Sequence, residues 1–270
     1  MAVSVQLGLH MPSCLRHTKT SLVLKMDNEK KSLEMVLDVS PLECAELLKN
    51  AVKAFARSTY QGVYVVDLFK NNFLYVSDNV ERFYGFSHEE IKRKGFGFYL
   101  ENMPDEEQKA LREVNAKGLS LLRQLSVGER GDCILSYDFH VKYGKKKRLF
   151  HHVATPFLLS EDGQVRLVLC SISLPHRSAA GHFIMYNRGV NFCYEYLLRE
   201  HCWKKKYIPE LSEIEQEVLA LSAQGYTMAD MADILCHSVD TVKASKKRLF
   251  SKLGVRNIAS ALSFASNQIM

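Results

Sequence analysis

Six basic side chains fall between Ser238 and Arg256: Lys243, Lys246, Lys247, Arg248, Lys252 and Arg256, against a single acid, Asp240. Cations at that density suit a polyphosphate partner, because each phosphate they neutralise releases condensed counterions. A solvated helix face carries similar runs, so charge alone does not discriminate. The spacing adds more. Lys243 and Lys247 lie four apart and share one helical face, whereas Val242, Leu249 and Leu253 recur on another. One face would pack and the other would carry cations outward. The major groove of DNA is ~12 Å wide and admits one such helix.

A reading helix must be held by others, and the neighbouring residues supply them. Ser212-x-x-Glu215 is a capping box that opens a helix with Ile214, Val218 and Leu221 on its apolar face, and Gly225 ends it. Thr227 caps a short second helix bearing Met228, Met231, Ala232 and Leu235. Cys236-His237-Ser238 forms a tight turn, Ser238 caps the third helix, Gly254 terminates it, and a fourth helix runs from Ile258 to about Gln268. Two short helices joined by a few residues, the second basic on its outer face, make a helix-turn-helix.

The segments Leu211-Ser-Glu-Ile-Glu-Gln-Glu-Val-Leu219, Ala223-Gln-Gly225, Ser238-Val-Asp-Thr-Val-Lys243 and Lys252-Leu-Gly-Val255 resemble the LuxR-type helix-turn-helix, in register from Leu211 to about Asn267. The resemblance implies that Lys243, Ala244 and Lys247 reach base edges and nearby phosphates. It also implies that Ser238 and Thr241 meet phosphate from the first turn, where hydroxyls and backbone N–H groups converge. Lys246 and Arg248 complete the implied DNA-binding set. The fourth helix commonly pairs two domains in this family, which makes Ile258, Ala261, Leu262 and Ala265 a candidate dimerisation seam; packing on the third helix is the other reading of that stripe. Ile214 and Gln216 stand where the family usually has arginines, and Ser245 where it often has histidine. Those departures bear on which phosphates are touched and which sequence is read. The implied partners are double-stranded DNA, a second copy of the chain and RNA polymerase.

Upstream, the pattern is α+β. A helix is expected from Pro41 to Ser58, then strands at Gly62–Asp67 and Phe73–Val76 around a turn at 70–72. Ser87-x-x-Glu90 and Pro104 open further helices. Strands follow at Ile134–Tyr143, Arg148–Leu159 and Val165–Leu174, the last two joined at Glu161-Asp-Gly163. This predicts a five-stranded antiparallel sheet with helices on one face. With Tyr75-Val-Ser-Asp-Asn-Val-Glu-Arg-Phe-Tyr-Gly-Phe-Ser87 as its strongest piece, the stretch resembles a PAS sensor domain, and the two halves together are similar to PAS–LuxR regulators of Bacteroidetes. The cofactors usual in that family find little support in these residues, and none is expected. The residues from Met103 to Lys117 contain no histidine for haem, and the reactive-cysteine setting of flavin photosensors is absent. His151 and His152 are adjacent on a strand and must face opposite sides. Tyr64, Phe73, Tyr75, Phe83, Tyr137 and Phe139 are the candidate lining aromatics, only some of which can face one cavity. With no buried charge or metal-type cluster to mark a pocket, the module reads as a ligand-free interaction domain, with a small apolar ligand as the rival.

The domain plan is a poorly defined extension over 1–40, a PAS-like sensor over 41–175, a connector over 176–208 and the DNA-binding domain over 209–270. The chain has 270 residues, a net charge of +6 and 47% hydrophobic residues, an ordinary globular balance. Seven cysteines at wide spacing, without a C-x-x-C, argue for plain thiols in a reducing cytoplasm and against structural zinc. No apolar run spans a bilayer. P-loop, G-x-S-x-G and H-E-x-x-H motifs are absent, so no enzyme is expected. A quorum-type lactone sensor would rest on buried tryptophans; the single one here, Trp203, falls in the connector. A phosphorylated response regulator would need a doubly wound fold rather than antiparallel hairpins. A protein-interaction module whose helix-turn-helix has lost DNA is the remaining alternative.

Overall fold

The computed structural model describes residues 20–23, 26–27, 32–33, 36–39, 41–95, 97–175, 177–187 and 190–268. The chain divides into two compact units, 1–60 and 61–270. In the first, β1 (Thr20–Val23) pairs antiparallel with β4 (Val36–Val39), β2 (Met26–Asp27) pairs with β3 (Ser32–Leu33), and α1 follows at Pro41–Ser58. The extension expected to lack definition therefore holds short strands from Thr20 onward, where β-prone residues meet in register (Leu22 opposite Leu37, Val23 opposite Val36). Residues 1–19 of that extension lie outside the described residues. Helix α1 has the predicted bounds but belongs to this first unit rather than to the sheet domain.

The second unit opens with β5 (Gly62–Asp67) and β6 (Asn72–Val76). Then come α2 (Asp78–Tyr84), α3 (His88–Lys94), α4 (Gly97–Asn102), α5 (Asp105–Gln124) and α6 (Val127–Gly131). Strands β7 (Cys133–Tyr143), β8 (Lys146–Leu159) and β9 (Val165–Ser173) complete the predicted five. Their order β7-β8-β9-β5-β6 places the first strand, β5, between the fifth, β9, and the edge strand β6, and every pairing is antiparallel. This is the PAS-like arrangement, with the helices inserted between its second and third strands.

The sheet does not stop at five. β10 (Gly181–Asn187), β11 (Phe192–Leu197) and β12 (Cys202–Tyr207) extend it past β7 to eight strands. The segment expected to be a connector over 176–208 is thus mostly sheet. The physical reason is that β7 would otherwise leave its backbone groups unpaired along a long edge. β10 takes that edge, with Met185 opposite Leu135 and Tyr186 opposite Ile134. The new edge is β12, where Lys204, Lys205 and Lys206 are exposed.

Helix α5 lies over this sheet. Glu107 in its first turn accepts hydrogen bonds from the His140 N–H and ring, both at 2.7 Å, which fixes the helix start on β7. Farther along, Gly118 is buried; a Cβ there would meet Met185 Cε at 3.4 Å and the Trp203 ring at 3.7 Å. Those are ordinary van der Waals separations, so α5 packs on the sheet here at normal contact distance. Between these points Glu113 accepts hydrogen bonds from Tyr196 Oη (2.6 Å), Lys117 Nζ (2.8 Å) and His201 (2.8 Å), which ties α5 to β11 and to the β11–β12 turn. The core between sheet and helices is rich in aromatic residues, with Tyr64, Tyr84, Phe98, Phe139 and Phe150 all buried.

The C-terminal helices are α7 (Glu213–Ala223), α8 (Met228–Ile234), α9 (Val239–Leu253) and α10 (Ile258–Gln268). The expected caps form. Glu215 accepts from the Ser212 N–H at 2.9 Å, Thr227 Oγ1 from the Asp230 N–H at 3.2 Å, and Ser238 Oγ from the Thr241 N–H at 3.2 Å. Gly254 ends α9 in the left-handed conformation. No helix among the described residues is long and apolar enough to cross a membrane.

Candidate nucleic-acid interface and an interior cavity

Helix α9 is held from behind. Val242 and Leu249 are fully buried, the first against Val218, Met231 and Ala232, the second with Leu219 and Leu253. That packing turns the opposite face to solvent. The α8–α9 turn and the first turn of α9 are exposed continuously from Cys236 to Thr241, followed by exposed Lys243, Ala244, Lys247 and Arg248, with Lys246 half-buried. The expected residues therefore form one surface. Ser238 Oγ and Thr241 Oγ1 lie 2.9 Å apart within it, and Lys243 lies 3.4 Å from Asp240.

Two cations of the basic run, Lys252 and Arg248, the second of them in the expected DNA-binding set, also face a different partner. Glu215 on α7 is buried, and Lys252 Nζ donates to its Oε2 at 2.7 Å and to the Glu210 carbonyl at 3.1 Å. Arg248 donates to Ser245 Oγ at 2.9 Å and brings its Nε to 3.9 Å from Glu215 Oε1. Burial pushes the Glu215 carboxyl up, but hydrogen bonds from Lys252 and from the Ser212 backbone and side chain outweigh it, leaving its pKa below the usual value. A buried carboxylate draws the nearest cations inward. Arg248 remains more than half exposed while it keeps these two contacts along the helix. Nothing in the sequence flagged Glu215 as buried; its position three after a capping serine explained it fully as a cap.

The seam expected on α10 divides. Ala261 and Ala265 are fully buried in a cluster with Leu211, Leu219, Leu249 and Leu253, and Ile258 and Leu262 are packed against that cluster but only partly covered. Ala261 and Ala265 are core and cannot meet a second copy, because one face of α10 is spent on α7 and α9. Of the expected seam, Ile258 and Leu262 alone keep accessible surface.

In the sheet domain a cavity of about 680 Å³ lies between the sheet and α5. Tyr64 and Tyr137 line it, as expected of two of the six aromatics, and Phe73 and Phe139 are buried beside them in the core. Tyr75 and Phe83 are half-buried away from the lining. His151 and His152 face opposite sides, as their adjacency requires. His151 bonds Asp138 at 2.9 Å on one face, while His152 is buried at the cavity. There Tyr99 donates to Tyr64, and Tyr64 Oη lies 2.5 Å from His152 Nε2. This polar trio was not legible, because Tyr99 comes from a short helix distant in sequence from both strands. Burial lowers the His152 pKa to about 3, with the neighbouring His151 adding to the effect, so the imidazole is neutral. Burial likewise holds Tyr64, Tyr99 and Tyr137 far above the usual phenol range and pushes the Cys170 thiol up to about 12. The expectation of a domain without a marked pocket fails: a neutral interior hydrogen-bonding trio and a cavity are both present. Trp203, placed between modules by the sequence, sits on β12 against Tyr196 with rings 5.1 Å apart, outside the cavity.

Residues 209–265 match the family described as bacterial regulatory proteins, luxR family. No curated protein matches the chain. Among solved structures, a phage VqmA–DPO complex shares 17% identity over 86% of this chain and 93% of its own, with a TM-score of 0.33. The Vibrio cholerae VqmA dimer, a LuxR-type receptor, shares 16% identity over 82% of this chain and 87% of its own, with a TM-score of 0.31. The PAS domain of a Colwellia psychrerythraea protein shares 16% over 48% of this chain and 97% of its own, with a TM-score of 0.33. The tight turn, the three capped helices and the basic outer face of α9 coincide with the matched span, so residues 209–265 are a helix-turn-helix DNA-binding domain of the luxR family of bacterial regulatory proteins, following a PAS-like antiparallel sheet domain.

Proposed function

We propose that the chain is a transcription regulator that binds double-stranded DNA sequence-specifically, with α9 in the major groove and its output modulated by the sheet domain. The observation that carries this is the continuous exposed surface from Cys236 through Lys243 to Lys247, backed by a closed apolar core. Base edges would be met by Lys243, Ala244 and Lys247, and phosphates by Ser238, Thr241 and Lys246. Arg248 would act by positioning, through Ser245 and Glu215. The protein would bind as a homodimer, since such domains commonly read paired half-sites. It would work in the cytoplasm as a regulator rather than an enzyme, with RNA polymerase as a further partner.

The test is a titration with random and genome-selected duplexes at several salt concentrations. A log affinity that falls linearly with log salt, and a tighter selected class, support the reading. Equal affinity for all duplexes would refute sequence-specific reading, and no binding at all would leave an interaction module built on the same helices.

A further inference from the structure

The cavity has an asymmetry of charge. Its lining includes two cations, Lys94 and Arg112, and no carboxylate. Lys94 is already held by Glu90 at 3.1 Å and Glu101 at 2.8 Å. Arg112 is exposed at the rim and has no ion-pair partner among the described residues. Farther in, the walls are apolar: Leu111, Leu135, Ala154 and Val168. The interior polar groups include the trio of Tyr64, Tyr99 and His152, hydrogen-bonded to one another through His152 Nε2, while His152 Nδ1 is buried without a hydrogen-bond partner. The volume is within the range of sites that enclose a small organic ligand.

We propose that this cavity binds an amphiphilic monocarboxylate, with its hydrocarbon body among Leu111, Leu135, Ala154 and Val168 and its head on the Arg112 guanidinium. The inference rests on the reading of the sheet domain as the regulator's modulating half, and it names what that half takes. Three arguments select this class. A cationic ligand would meet the unpaired Arg112 guanidinium and find no carboxylate in the lining, since Glu90 and Glu101 are spent on Lys94. An ionised head driven to the interior would face a neutral imidazole and neutral phenols, and would lose hydration without a charged partner. At the rim it keeps part of its water and gains a guanidinium whose planar fork matches a carboxylate.

Decanoate, decanol and decyltrimethylammonium share one tail and differ in head. Calorimetric titration of the full chain with each, below micellar concentrations and without DNA, tests the proposal. Expected are one equivalent of decanoate, about tenfold weaker decanol and no binding of the ammonium. Arg112→Gln should bring decanoate down to the affinity of decanol, a loss of about tenfold, and leave decanol unchanged. Arg112 is exposed, so this variant should fold, as Trp203 fluorescence would report. Ala154→Phe, which fills the cavity, should abolish binding of both acid and alcohol. Absence of decanoate binding, equal affinity for acid and alcohol, indifference to Arg112→Gln, several equivalents per chain, or full binding by folded Ala154→Phe would each overturn it. Because no DNA is present, these outcomes leave the DNA-binding reading to its own salt titration.

Discussion

At the level of single residues, the cations of α9 separate by what lies behind them. Lys247 projects from a turn with no acid beneath it, whereas Arg248, one residue on, is drawn toward Glu215. We therefore expect Lys247→Ala to weaken specific DNA binding by ~1–3 kcal/mol, the range for a lost base or strong phosphate contact. A gel-shift titration with unchanged affinity would refute that assignment. His152 allows a second prediction. An unfolded histidine titrates near 6.5, while burial keeps the folded one neutral down to about 3. Between those values the unfolded chain binds a proton that the folded chain does not. The stability this group contributes is fully present above pH 6.5 and is lost as pH falls toward 3, with a slope approaching ~1.4 kcal/mol per pH unit. Denaturant unfolding followed by Trp203, the single tryptophan, should show acid weakening from about pH 6.5 that is shallower in His152→Phe. Equal slopes in the two proteins would place the sensitivity elsewhere.

At the level of elements, what the sequence disclosed follows from how local each signal is. Caps at Ser212, Thr227 and Ser238, and the left-handed stop at Gly254, are written within four residues and were legible. So were β5 to β9, whose apolar alternation and turn at Gly163 are also local. The joining of β10 to β7 was not, because it pairs residues such as Met185 and Leu135 that are far apart, and its three strands are short with a basic run in the last. The burial of Glu215 and the cavity trio were hidden for the same reason. Helix α10 shows the limit of periodicity: one stripe serves equally for a core or a seam, and the structure gives Ala261 and Ala265 to the core. What remains for a second copy is Ile258 and Leu262. We expect Leu262→Glu to leave the domain folded but to reduce cooperative binding of two copies on a paired site. Native mass spectrometry of the DNA complex gives the stoichiometry, and an intact two-copy complex would move the seam to another surface.

At the level of the whole molecule, the sheet is not bounded where a five-stranded sensor would end, and its final strand leads almost directly into α7. Strand β12 is therefore both the outer margin of the sheet and the last regular element before the DNA-binding helices. A long sheet margin offers unpaired N–H and C=O groups to any extended segment that drifts past, including the same margin on another molecule. Lys204, Lys205 and Lys206 occupy that margin, and Lys205 reaches back over the Phe192 ring at 3.6 Å. Two such margins brought together would oppose lysine with lysine, with Glu200 and Glu195 beside Lys204 and Lys206 offsetting part of the charge. We expect the run to disfavour edge-to-edge assembly, independent of any contact with nucleic acid. Replacing all three lysines with threonine, a residue at least as prone to strands, should leave α9 and its DNA affinity unchanged while lowering the concentration at which light scattering detects assembly. The lysine triplet would then be a guard against runaway polymerisation.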